Sequence, residues 1–215
     1  MSIVRCLLLI GAWSVIFFYF SLQAMDKKGN KVIIITAPSG AGKTSITRYL
    51  LANFPQLAFS VSAATREARS YEQDGKDYYF MSEQSFLEKI RNNEFVEWEM
   101  VYEGKYYGTL KSELQRIWAL NKVPVLDIDV KGAIHVQGQY PNSTRSIFIE
   151  PPSVDELKRR LQSRGTESLE SLQARVNKAA YEISFKDQFQ HVIVNSDLET
   201  AQARASEIVK DFLRK

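Results

Sequence analysis

Lys31 to Thr44 reads KVIIITAPSGAGKT, and few folds accommodate that order of residues. Val32 to Ile35 are four consecutive β-branched apolar residues, the composition of a strand covered on both faces and hence of the interior of a parallel sheet. Pro38, Gly40 and Gly42 interrupt the run, and a helical pattern follows from Ser45 to Asn53. Residues Ala37 to Thr44 match G-x-x-x-x-G-K-[ST] except that Ala37 stands in place of the first glycine. The residue types have physical reasons. Gly40 and Gly42 let the backbone curl so that successive N–H groups face an anion. A helix starting near Lys43 adds the positive end of its dipole. Lys43 reaches β- and γ-phosphate oxygens, and the Thr44 hydroxyl is a ligand for Mg²⁺. A nucleotide-phosphate site built from Ser39, Gly40, Ala41, Gly42, Lys43 and Thr44 is therefore expected.

The rest of the chain supplies the partners such a unit needs. Leu57 to Ser62 alternates and predicts a strand, followed by a polar connection from Ala63 to Asp77 and a short strand at Tyr78 to Phe80. Ser82 caps a helix to about Asn92. Phe95 to Val101 predicts a strand in which Val96 and Trp98 alternate with Glu97 and Glu99, and Glu103-Gly104-Lys105 turns it back through Tyr106 and Tyr107. Leu110 to Leu120 is helical. Val123 to Asp129 predicts a second buried strand ending in Asp127 and Asp129, two residues apart and so on one face. An aspartate there is what a phosphate-loop fold uses to hold Mg²⁺ or its waters. Helix Lys131–Gln139, strand Arg145–Ile149, a helix capped by Ser153-x-x-Glu156, a helix from Leu169 to about Phe185, strand Val192–Val194 and a last helix capped by Ser196-x-x-Glu199 complete the order. Strand and helix alternate throughout, which predicts an α/β architecture: three layers, with helices on both faces of a parallel sheet. The sheet-rich stretch 64–109 differs from its surroundings and reads as an inserted small mixed subdomain, leaving a core of 31–62 and 110–215.

Length and composition narrow the class. The chain has 215 residues, enough for one full core with a small insert, and a formal net charge of +3. Its basic residues are scattered, which argues against a nucleic-acid partner. Cys6 is the only cysteine, so neither a disulfide framework nor a cysteine–metal site is expected, and His135 and His191 lack ligand-like spacing. Residues 1–24 stand apart: Cys6 to Leu22 is almost continuously apolar behind Arg5. A cleaved signal fits poorly, because cutting after Ala24 leaves Leu22 where a small residue is wanted. A membrane anchor is slightly short of the ~20 residues a bilayer requires. The preferred reading is an upstream start, with a cytoplasmic domain translated from Met25 over 25–215.

At this depth the motifs resemble those of guanylate kinases. They stand here as APSGAGKT, SVSAATREAR, GKDYYF, FVEWEMVYEGKYYGT, LDIDVKG, IFIEPPS, RRLQSRG and VIVNSD, in the family's order and over nearly all of 31–213. The resemblance implies the P-loop kinase fold with a helical lid at about 160–175, and ATP- and Mg²⁺-dependent phosphorylation of GMP and dGMP. It implies that Arg66, Arg69, Tyr78 and Tyr107 hold the acceptor phosphate. Glu97 would read the guanine, since a carboxylate only accepts and guanine offers two adjacent donors. Ser62, Thr109 and Asp129 match other positions around the base, and Asn195 one near the adenine. Lys43, Arg160, Arg164 and Arg175 match the cations that stabilise the transferring phosphoryl group, with Thr44 and Asp127 at the metal. No protein partner is implied, and a monomer or a homodimer is equally compatible. The chain departs from the family at Ala63 and Ala64, at Ala68 before the second arginine, at Ser70-Tyr71 where a small residue and glycine are usual, and at Ser196, which bears on loop rigidity and GMP affinity. Two other readings stay open: a kinase of this shape with another phosphate acceptor, and a non-catalytic protein-binding module.

Overall fold

The computed structural model describes residues 30–163 and 169–214. Five strands form a wholly parallel sheet: β1 (Val32–Thr36), β2 (Leu57–Phe59), β7 (Val123–Asp127), β8 (Thr144–Glu150) and β9 (His191–Val194), in the order β2-β7-β1-β8-β9. Alternating side chains feed two cores, as the pleat requires. Ile33, Ile35, Val125, Ile147 and Ile149 pack on one side against helices α1 (Lys43–Asn53) and α7 (Leu198–Arg214), through Ile46, Leu50, Val209 and Phe212. Val32, Ile34, Leu126 and Phe148 pack on the other against α3 (Lys111–Ala119) and α4 (Val130–Gln139), through Leu114, Ala133 and Val136. Both faces are covered, which is why β1 and β7 carry apolar residues without interruption. The strand order reverses beside β1, so a crevice opens beyond the carboxyl ends of β1 and β7, where open α/β sheets bind ligands.

A second, mixed sheet has the order β4-β3-β6-β5, from β3 (Ala63–Ala64), β4 (Tyr79–Phe80), β5 (Phe95–Tyr102) and β6 (Lys105–Leu110). Helix α2 (Glu83–Arg91) covers it, with Phe86 stacked on Phe95 at 4.3 Å between ring centroids. Val96 of β5 packs in the same cluster as Leu114, Val130 and Ala133, and so joins this sheet to the main core. Helices α5 (Val154–Gln162) and α6 (Leu169–Ile183) share a small core of Leu157, Leu161, Leu172 and Ala179. Among the described residues no helix is long and apolar enough to cross a membrane. Residues 1–24 lie outside the described residues.

Five local expectations are corrected. The strand expected over Leu57 to Ser62 stops at Phe59, because Val61 leaves the parallel sheet, its N–H donating to the Glu113 carboxylate at 3.0 Å, and the chain enters the second sheet at Ala63. Ala63 and Ala64 are thus strand, not connection. β7 ends at Asp127, and Asp129 is the N-cap of α4, accepting from Gly132 N–H at 2.8 Å, so the two aspartates meet one cavity from a strand end and a helix cap, not from one strand. Ser153 caps α5 through the Glu156 N–H, but the Glu156 carboxylate turns to Arg159 and Arg160 instead of closing the capping box. The cap of α7 is Asp197, which accepts from the Thr200 N–H at 2.8 Å, because the helix begins one residue later than the Ser196 pattern required.

Candidate active site

The phosphate loop follows β1 directly. Gly40 and Gly42 take φ of +91° and +103°, values open to glycine and strained for other residues. Gly42 caps α1, and a Cβ there would run into the amide nitrogen of Asn195. Asn195 is 4% exposed. Its Nδ2 donates to the Ala41 carbonyl at 2.7 Å, while its own N–H extends the β8–β9 ladder by donating to the Glu150 carbonyl at 2.8 Å. The Asn195 carbonyl accepts from Arg160 Nη2 at 3.1 Å. Arg160 is held from behind by Glu156 at 2.8 Å, and its neighbours Arg159 and Arg160 draw the Glu156 carboxyl down to about 2. Arg160, Asn195 and the loop therefore form one hydrogen-bonded chain.

The Lys43 ammonium pairs with the Asp127 carboxylate and donates to the Ile128 carbonyl at 3.3 Å. These residues and the Thr44 hydroxyl stand at the carboxyl ends of β1 and β7. The loop opens onto a cavity of about 340 Å³ whose far wall is α6, through Arg175, Lys178 and Glu182. Arg164 lies outside the described residues.

A second cavity, of about 300 Å³, contains Ser62, Tyr78, Glu97, Tyr107, Asp127 and Asp129. Asp129 and Lys178 line both cavities, so the two are halves of one cleft. Glu97 is only 6% exposed. A register shift between Phe95 and Glu97 puts Phe95, Val96 and Glu97 all inside, against the plain alternation expected of β5. Glu97 Oε1 accepts from the Thr109 hydroxyl at 2.6 Å. Its Oε2 lies so near α4 that a Cβ on Gly132 would come within 2.7 Å of it. Burial pushes the Glu97 carboxyl up to about 7, with the nearby Asp129 charge adding to the shift and the Thr109 hydrogen bonds opposing it.

Of the two arginines expected at the acceptor phosphate, Arg66 packs on Tyr78 of this cavity. Arg66 lies over the Tyr78 ring at 4.8 Å and over Phe80 at 5.4 Å. Tyr78 meets Tyr107 edge-on at 6.0 Å. Arg69 is on the exposed turn beyond, its Nη1 donating to the Tyr71 hydroxyl at 3.1 Å.

A family model described as guanylate kinase matches residues 29–213. The chain belongs to the guanylate kinase family. The guanylate kinase of Bacteroides fragilis is 47% identical over 183 residues, 85% of this chain and 90% of that one. That of Bacteroides thetaiotaomicron is 43% identical over 206 residues, 96% of this chain and 100% of the other. Among solved structures, the guanylate kinase from Anaplasma phagocytophilum matches with a TM-score of 0.68 at 33% identity, over 87% of this chain and 88% of that one.

As a guanylate kinase the chain brings together side chains that sequence reasoning did not single out. Glu72 grips Arg66 through two bonds of 2.6 Å and also accepts from the Arg69 N–H at 2.8 Å. Arg66 holds the Glu72 carboxyl down to about 2. The only hint was an acid following two arginines in a turn-rich stretch. Lys178 and Glu182 join Arg175 on the cleft wall, and their spacing of three and seven residues is one helical face, a signal that was legible. Burial pushes the Glu182 carboxyl up. Among the described residues no group of three or more acidic, histidine or cysteine side chains could hold a metal ion by itself.

Proposed function

We propose that this chain transfers the γ-phosphoryl group of ATP to the phosphate of GMP, and of dGMP, giving GDP or dGDP within purine nucleotide metabolism. The observation that carries the reading is the buried Glu97 carboxylate, fixed by Thr109 and opening into the same cleft as Lys43. A pocket that offers only acceptors to the N1–H and exocyclic amine of guanine leaves buried groups unpaired with adenine, and discriminates by about 10⁴-fold or more.

In this mechanism the donor lies along Ser39 to Thr44, with Lys43 leaving Asp127 for the β- and γ-phosphate oxygens. Arg160 and Arg175 meet the charge spread over the transferring group, and Arg164 is assigned the same role from the family motif. Arg66, Arg69, Tyr78 and Tyr107 fix the acceptor phosphate; Ser62, Thr109 and Asp129 stand around the base. Asn195 anchors the loop on the adenine side. The acceptor phosphate is itself the nucleophile, so positioning and charge carry the reaction and no side chain forms a covalent bond. The Thr44 hydroxyl and the Asp127 carboxylate are a small, all-oxygen donor set suited to Mg²⁺. Bound with the nucleotide, that ion supplies charge neutralisation at the β- and γ-phosphates.

The insert 64–109 carries the acceptor half, the core 31–62 and 110–215 the donor half, and 160–175 the lid. A nucleotide pair as substrates fits a cytoplasmic protein acting as a monomer or homodimer that needs no other protein. The test is a coupled assay of residues 25–215 with ATP and, in turn, GMP, AMP, CMP and UMP. GMP is expected to be fastest by kcat/KM; AMP or a pyrimidine nucleotide outpacing it overturns the reading.

A further inference from the structure

The alternation of β8 places Arg145 on the same face as Ile147 and Ile149, where a third aliphatic side chain would extend the core under α7. A guanidinium sits there instead. It stacks on the Phe212 ring at 5.0 Å, its Nη1 reaches His191 Nε2 at 3.4 Å, and its Nε is buried without a hydrogen-bond partner. Arg145 lines a groove of about 400 Å³ with His191, Arg204, Lys210 and Arg214, floored by Ile208. Arg145 is the second residue of β8 and His191 the first of β9, so the groove lies at the amino ends of these strands, at the end of the sheet opposite the phosphate loop.

The groove is short of negative charge. Its two carboxylates are turned to helix neighbours, Glu207 to Arg204 at 2.8 Å and Asp211 to Arg214 at 3.9 Å. Among the described residues neither Arg145 nor Lys210 has an acidic partner. Lys31, over the same Phe212 ring at 5.5 Å, adds a further cation to this region. Burying an arginine donor without a partner is unfavourable, and an arginine fork matches two oxygens of one phosphate. We propose that this groove is a second anion site, which takes the phosphate or pyrophosphate group of a small metabolite through Arg145, with Arg204 and Lys210 closing on it from α7.

His191 reports on the site. Burial, followed by the charges of Arg145 and Arg204, lowers its pKa. An anion between those cations reverses their effect. The other charged groups lining the groove are Glu207, Lys210, Asp211 and Arg214 of α7. The chain has two histidines, so His135 on α4 serves as an internal control. Histidine NMR titrations of the whole domain, with and without millimolar inorganic pyrophosphate, test the proposal. The His191 midpoint is expected to rise by about one pH unit, with His135 unmoved. Arg145→Met, which keeps the stem over Phe212, is expected to lose that response while phosphorylating GMP normally. Arg204→Gln, at an exposed position, gives the same test should Arg145→Met fail to fold. Lys43→Ala is expected to keep the response, because the phosphate loop is elsewhere. A His191 midpoint indifferent to pyrophosphate, or a shift that survives in both arginine variants, overturns the proposal.

Discussion

Arg66 and Glu72 are joined by two hydrogen bonds of 2.6 Å, with the Arg66 guanidinium over the Tyr78 ring at 4.8 Å. A fork held from one edge and one face presents its remaining edge in a fixed direction. Glu72→Ala is expected to raise KM for GMP by roughly tenfold with kcat changed much less, since what is lost is orientation. Steady-state kinetics with GMP as the varied substrate checks this. A fall in KM would mean that Glu72 competes with the acceptor phosphate. Because Glu72 is held down to about 2, the pair stays intact as pH falls until that value is approached.

The Glu97 carboxyl is shifted the other way, into the neutral range. Its folded-state pKa is raised from 4.5 to about 7. In the proposed mechanism the ionised form accepts from guanine; that form is lost as pH falls through about 7, and kcat/KM for GMP is expected to drop about tenfold per pH unit below it. Glu97→Gln is expected to flatten that limb while lowering kcat/KM for GMP.

The same group carries a stability prediction. A carboxyl whose folded pKa is raised destabilises the fold as pH climbs from 4.5 to 7, and the full cost, roughly 3 kcal/mol, is present above 7. Glu97→Gln is expected to unfold at higher temperature than the parent at pH 8, and the gap is expected to close toward pH 5. Thermal melts at the two pH values measure it.

Lys43→Ala is expected to lower kcat by about 10²–10³-fold, because the lost charge acts on the transferring phosphoryl group. Its Asp127 partner is not fully buried, at 19% side-chain exposure, so the melting temperature is expected to change little. Circular dichroism beside a single-turnover assay separates the two effects.

Asn195 tests the loop's support. Asn195→Ala leaves the Ala41 carbonyl without its donor and is expected to cost about 1–2 kcal/mol of stability, with KM for ATP rising several-fold. Asn195→Asp sets an acceptor against an acceptor and is expected to be worse on both counts. Chemical denaturation and ATP kinetics of the two variants distinguish loss of a bond from repulsion.

What was legible followed from burial on both faces and from backbone demands. Val32–Ile35 and Val123–Asp127 could be read as core strands because no alternation was needed to place them, and Gly40 and Gly42 because their positive φ excludes most residues. Glu97 could not be read as buried from its strand, because a register shift between Phe95 and Glu97 breaks the alternation; only the family resemblance singled it out. Asp129 and Asp197 show a different difficulty. A cap is fixed by where the helix begins, and one residue of error moves the role to a neighbour. Glu72 was missed because its partner is chosen by the path of the turn, which spacing does not encode.

Gly132 bears on how acceptor preference can change over generations. Its bare Cα faces the Glu97 carboxylate, and any side chain there would crowd that carboxylate. Yet Gly132 belongs to a helix whose Ala133 and Val136 hold the central sheet. A mutation that reshapes the base pocket from this side must also repack the core. Base preference is thereby shielded from drift at this position: a single step costs stability before it yields a new substrate, and a viable path needs compensation at a second site first.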